Sequence, residues 1–161
     1  MNLIKTINGD LLEATDTIIC HQINCRSRGT AGIAAKIFKK FPWANNYDSP
    51  RTPGFFYLRG NGKDQRFVIG IAGQIMPGLP SKDIKSLDSK WNREDYFIQA
   101  LSYMKEMIYN WKDNPEFPPL ESIAFPYKIG CGLGGGDWSV YSTLLQRFAH
   151  DISIPVNIYK L

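Results

Sequence analysis

The chain is poor in the side chains most often recruited for disulfides, metal sites and acid–base chemistry. Its 161 residues include three cysteines and two histidines. An odd cysteine count supports no disulfide framework and suits a reducing compartment. No apolar stretch approaches the roughly 20 residues that span a bilayer. The opening Met1-Asn2-Leu3-Ile4-Lys5 lacks the long apolar core of a secretion signal. A cytoplasmic location with no membrane partner is therefore expected. A dense basic run is also missing. The net charge of +4 comes from scattered lysines and arginines, whereas nucleic-acid surfaces usually concentrate them in a stripe. Such a mild positive field still helps an anion approach.

What is present reads as one globular domain spanning residues 1–161. An apolar fraction of 43% and a charged fraction of 21% are ordinary for a soluble fold and exclude disordered and collagen-like classes. Runs rich in β-branched and aromatic residues predict strands at 2–7, 17–23, 55–58, 67–71, 122–125 and 154–159. Ile33, Ile37 and Phe41, four apart, predict a helix stopped by Pro42. Phe97, Ala100, Leu101, Met104, Ile108 and Trp111 predict the longest helix, from about Asn92, with Asp95 three residues on as a capping-box partner. Met104 and Met107 read as core filling. Trp138, Tyr141, Leu145 and Phe148 predict a last helix. Residues 76–91, with two prolines and several charges, read as a long loop beside the site. Strands alternating with helices imply a layered α/β fold.

Two strand-to-helix loops carry the chemistry: Asn24 to Gly32, and Gly130 to Asp137. Ligands of α/β folds sit outside the carboxyl ends of strands, where helix N-termini offer free N–H groups to anions. The second loop holds five glycines in eight positions, which lets backbone approach a phosphate closely. Diphosphate is the natural ligand of two such loops. Gly130, Gly132 and Gly135 match the dinucleotide fingerprint G-x-G-x-x-G only formally, because 26 residues follow and cannot build a second βαβ half. Cys20, His21, Cys25 and Cys131 invite a zinc reading, but adjacent strand residues point to opposite faces. No metal and no cofactor are expected.

Asn8-Gly9-Asp10-Leu11, Cys20-His21-Gln22-Ile23-Asn24-Cys25, Ala31-Gly32-Ile33-Ala34 and Lys39-Lys40-Phe41-Pro42 resemble the N-terminal half of a macro domain. Pro126-Tyr127-Lys128-Ile129-Gly130-Cys131-Gly132-Leu133-Gly134-Gly135-Gly136-Asp137-Trp138 is similar to that family's second signature. The likeness is to the branch of ADP-ribose-1″-phosphate phosphatases and terminal ADP-ribose–glutamate hydrolases. It implies a three-layer α/β/α fold around a mixed, mostly parallel sheet of about six strands. It also implies binding of ADP-ribose or ADP-ribose-1″-phosphate, with ADP-ribosylated protein or nucleic acid as further partners. The implied activity is removal of a 1″-phosphate or an ADP-ribosyl linkage from the distal ribose. A non-catalytic ADP-ribose reader is the alternative.

By this resemblance Asp10 accepts from the adenine amino group beside the Leu11 backbone; alone, Asp10 would read as an Asx-turn residue. Asn24 bonds the distal ribose hydroxyls, or orders its own loop. Ala31, Gly32 and Ile33, with Gly130, Cys131, Gly132, Leu133, Gly134 and Gly135, surround the diphosphate and distal ribose. His21 is the candidate general base, against a packed strand histidine. Asp137 is either an acid/base or the N-cap of the last helix, the cap being favoured. Trp91 and Arg93 either contact the ligand or brace a helix start. The first loop departs from its relatives in carrying Thr30-Ala31-Gly32 where they have Gly-Ala-Gly or Gly-Gly-Gly. By the same resemblance, Gly73 or a neighbour, and Gly134, stand where the glutamate-linkage hydrolases carry their lysine and aspartate. A lysine-adduct mechanism is therefore disfavoured.

Overall fold

Strand alternation builds two separate cores on the two faces of one sheet. A computed structural model describes residues 2–161. In β2 (Ile18–Ile23), Ile18 and Cys20 enter one core while Ile19 and Ile23 enter the other. In β4 (Phe67–Ala72), Phe67, Ile69 and Ile71 take the first side, Val68 and Ala72 the second. In β5 (Ile123–Pro126), Ile123 and Phe125 oppose Ala124 in the same way. This is the period of two that a strand buried on both faces must show.

Together with β1 (Ile4–Asn8), β3 (Phe56–Arg59) and β6 (Val156–Lys160), these strands form a six-stranded sheet in the order β1-β6-β5-β2-β4-β3. Every pairing is parallel except the antiparallel edge pair β3–β4. Helix α1 (Gly32–Lys40) covers one face. Helices α2 (Lys90–Tyr109) and α3 (Trp138–Ile152) cover the other. The three-layer, mostly parallel architecture expected from sequence is the one observed. No helix among the described residues is long and apolar enough to cross a membrane.

Two expectations about helices shift. α2 starts at Lys90 because the Ser89 hydroxyl accepts from the Asn92 N–H at 3.1 Å, so Ser89, and not Asn92, is the cap. Its end also comes earlier. Trp111 lies in a short 3₁₀ turn (Trp111–Asp113), where its indole donates to the Pro118 carbonyl at 2.7 Å and its ring meets Phe67. In α1 the buried face is Ala34, Ile37 and Phe38, continued by Phe41. Ile33 is 38% exposed: it sits in the first turn, which overhangs the loops at the sheet's carboxyl edge.

Candidate functional site

β2 and β5 are hydrogen-bonded neighbours at the centre of the sheet, and the chain leaves them in opposite directions. After β2 it passes through α1 toward β3 and β4; after β5 it passes through α3 to β6. The connecting loops must diverge there, and a crevice opens between them. That crevice is a cleft of about 400 Å³. Asn24, Ser27 and the start of α1 form one wall, Gly130 and Gly132 to Gly134 the other, and Gln22 and Gln74 lie between them.

Both walls present unused backbone donors. The first N–H groups of any α-helix lack intrahelical acceptors. In α2 and α3 the side chains of Ser89 and Asp137 answer that need, but the N-cap of α1 is Ala31, which has no side-chain acceptor to give. Gly32, at φ +58°, turns the chain into the helix with its N-terminus lining the cleft. Opposite, Gly130 sits at φ +73° and its carbonyl accepts from the Gly136 N–H at 2.9 Å, closing the second loop into a ring. Within it, the N–H groups of Gly132, Leu133 and Gly134 make no hydrogen bond among the described residues. Lys128, a non-glycine residue at φ +60°, is the one charged side chain among the described residues lining the cleft.

A hydrogen-bond chain ties the walls together. The Gln22 amide donates to Gln74 Oε1 at 2.7 Å, and Gln74 donates to the Met76 carbonyl at 2.9 Å. The Arg93 guanidinium takes over from there. It is 2% exposed, grips Asp88 through two bonds of 3.0 and 2.8 Å, and donates to the carbonyls of Gly78 at 2.7 Å and Gly134 at 3.0 Å. Asp88 in turn accepts from the Ile75 and Met76 N–H groups. Arg93 therefore braces the long loop against the glycine loop, a role beyond the ligand contact or helix-start brace considered for it from sequence. Trp91 is 60% exposed, with Lys90 Nζ 5.6 Å from its ring centre.

Comparison with known structures identifies the fold. No family model matches the chain. Along its full length it superposes on the macrodomain of Mycobacterium tuberculosis DarG, covering 99% of that chain, with a TM-score of 0.73 at 22% identity. The fold is a macrodomain fold. Thermosipho africanus DarTG in complex with ADP-ribose shares it at a TM-score of 0.68 and 20% identity, over 99% of this chain and 42% of that one. A curated relative, a DNA ADP-ribosyl transferase–DNA ADP-ribosyl glycohydrolase fusion protein from Thermosipho africanus, is 45% identical over 40 residues. That match spans 25% of this chain and about a tenth of the relative.

Within the macrodomain fold, the expected site residues separate into two groups. Asn24, Ala31, Gly32, Ile33, Gly130, Gly132, Leu133 and Gly134 all line the cleft. Asn24 is also the organiser of its loop. Its Oδ1 accepts from the Arg26 and Ser27 N–H groups at 3.0 and 2.8 Å, and its amide donates to the Tyr47 hydroxyl at 3.3 Å.

The second group lies outside the lining, which corrects the expectation for His21 in particular. Gln22 faces the cleft, so alternation sends His21 under α1, where it is fully buried edge-on against Phe38. Neither ring nitrogen has a partner, and burial lowers its pKa to about 3. A general base needs reach to its substrate, and His21 has none. Asp137 is exposed and caps α3. Its Oδ1 accepts from the Ser139 N–H and hydroxyl at 3.0 and 2.8 Å, bonds that hold the carboxyl below its usual range. Asp10 caps the 3₁₀ turn Leu11–Glu13 through the Leu12 N–H at 2.9 Å, while Leu11 is buried in the α1-side core. Cys131 is half-buried, its thiol pushed up to about 11 by burial. Gly135 lies beneath Leu79 and Pro80.

Gln22, Gln74 and Tyr47 escaped the sequence reading. For Gln22 the signal existed: it neighbours His21 in a strand, and only one of the two can face the cleft. Gln74 and Tyr47 sit in turn-rich segments with no periodicity to place them.

Proposed function

We propose that residues 1–161 are one domain that binds ADP-ribose or a derivative of it, with the diphosphate held between the two walls of the cleft. The observation that carries this is the uncapped N-terminus of α1 facing the free N–H groups of Gly132, Leu133 and Gly134. Oriented N–H groups on both sides suit a doubly charged diphosphate better than they suit a neutral sugar or base. Support also comes from the complex of Thermosipho africanus DarTG, which shares the fold and carries ADP-ribose. In this reading Gly32, Ile33 and the second loop hold the diphosphate, and Asn24 orders the distal-ribose end. Asp10 Oδ1 is taken by Leu12, and its Oδ2 receives the adenine amino group beside Leu11.

A second reading, hydrolysis of a group on the distal ribose, rests on the 40-residue match to a protein named for glycohydrolase activity. ADP-ribose-1″-phosphate and ADP-ribosylated protein or nucleic acid are its candidate substrates. No histidine or carboxylate lines the cleft among the described residues, so we rank binding first. Titration calorimetry with ADP-ribose tests the first reading. We expect micromolar affinity, corresponding to about 8 kcal/mol, weakened at least tenfold by Asp10→Ala. Absence of binding by the native chain would remove it. Release of phosphate from ADP-ribose-1″-phosphate under single-turnover conditions would promote the second.

A further inference from the structure

The loop that walls the cleft has a second side. Asn24 and Ser27 face the cleft, whereas Arg26 and Arg28 line a separate surface cavity of about 660 Å³ whose far side is formed by Asp48 and Arg51. Tyr47 is a wall common to both.

Three arginines thus line one cavity with one aspartate, a side-chain charge of +2 (three minus one). The carboxylate does little to balance them. Asp48 Oδ1 accepts from the Ser49 hydroxyl at 2.9 Å and lies 4.0 Å from Arg59. Arg26 and Arg28 form no ion pair among the described residues. Arg51 is fixed in place: its guanidinium lies 4.2 Å over the Tyr47 ring and its Nη2 donates to the Ser27 carbonyl. Its Nε and Nη1 are enclosed and have no acceptor. Gathering like charges is unfavourable. One ligand class answers the gathered charge. A tetrahedral oxyanion offers several acceptors, and guanidinium forks match its geometry.

We propose that Arg26, Arg28 and Arg51 form a second anion site, for a phosphate group, on the far side of the loop from the cleft. Arg26 and Arg28 supply the open, adaptable donors. Arg51 supplies a preoriented positive charge at the far wall. This site requires nothing from the cleft and stands whether or not ADP-ribose binds there. The phosphate comes either free from solution or on a group joined to the distal ribose of the cleft ligand; only the latter source rests on the function proposed above.

The test is a ¹⁵N-NMR titration of the full chain, at constant ionic strength, with inorganic phosphate and with a short single-stranded oligothymidylate. We expect saturable shifts at Cys25–Arg28 and Ser49–Arg51, with the apparent Kd raised at least tenfold in Arg26→Gln/Arg28→Gln. A parallel ADP-ribose titration reports on the cleft separately and should be unchanged in that variant, since neither side chain lines the cleft. Equal affinity per phosphate for the two probes assigns the site to free anion; tighter, more salt-sensitive oligothymidylate binding assigns it to a phosphate-bearing chain. Absence of saturable shifts with both probes, or shifts that survive in the double variant, would overturn the proposal.

Discussion

His21 shows how a single position separates chemistry from packing. Its ring is buried without a hydrogen-bond partner, so folding favours the neutral form and the pKa falls to about 3. Between that value and its ordinary 6.5 the unfolded chain binds the extra proton, so stability must fall as pH drops through this window and be full above it. The expected slope approaches about 1.4 kcal/mol per pH unit below the ordinary pKa. In His21→Leu that slope should vanish between about pH 6.5 and 5, where carboxylates contribute least, as read from urea midpoints. ADP-ribose affinity should stay within about twofold of native. A large loss of affinity at unchanged fold would return His21 to the site. Asn24 is the contrasting case. Asn24→Ala removes acceptors from two N–H groups and a partner from Tyr47, so it should weaken ADP-ribose at least tenfold while costing stability about 1–2 kcal/mol.

At the scale of elements, the glycine loop and the long loop behave as one braced unit. Arg93 is a cation in the first turn of α2, the end where the helix dipole disfavours it. It is kept there by Asp88 and the carbonyls of Gly78 and Gly134. Arg93→Met should lower stability by about 3–5 kcal/mol, because Asp88 is left buried and uncompensated, and adding Asp88→Asn should recover part of the loss in thermal melts. Neighbouring glycines should differ sharply. A Cβ on Gly130 meets Tyr141 at 2.9 Å at a positive φ, whereas one on Gly132 meets nothing within 4 Å. Gly130→Ala should therefore cost about 1–3 kcal/mol from strain alone, and Gly132→Ala about 0.5 kcal/mol or less. Strands were legible in the sequence as runs of β-branched and aromatic residues, as in Ile18 to Ile23, and helices by apolar residues spaced three or four apart, as in Phe97 to Ile108. The start of α2 was not, since Ser89 looks like loop until Asn92 folds back onto it. Among site residues, the glycine loops announced themselves by composition. Gln22, Gln74 and Tyr47 meet only after β2, β4 and the 45–51 segment are assembled, which no local pattern reports.

For the molecule as a whole, ligand binding at the sheet's switch point links both helical layers, because α1 and the loop before α3 grip the same ligand in the proposed complex. ADP-ribose at about a hundred times its Kd should stabilise the fold by about 2.7 kcal/mol. For a chain of this size that corresponds to a rise in Tm of about 5–10 °C, measurable by scanning fluorimetry; a ligand held by one loop alone would leave hydrogen exchange in the other wall unprotected. The same convergence constrains how such a chain can vary. The Gln22 side chain fills the space that a Cβ at Gly73 or Gly130 would enter, at 2.4 and 3.0 Å from its Oε1. Three segments distant in sequence thus share one small volume, and a lineage cannot enlarge one tenant without shrinking another. Related chains that carry alanine at either glycine should carry a shorter residue in place of Gln22, and drift at these three positions should be correlated.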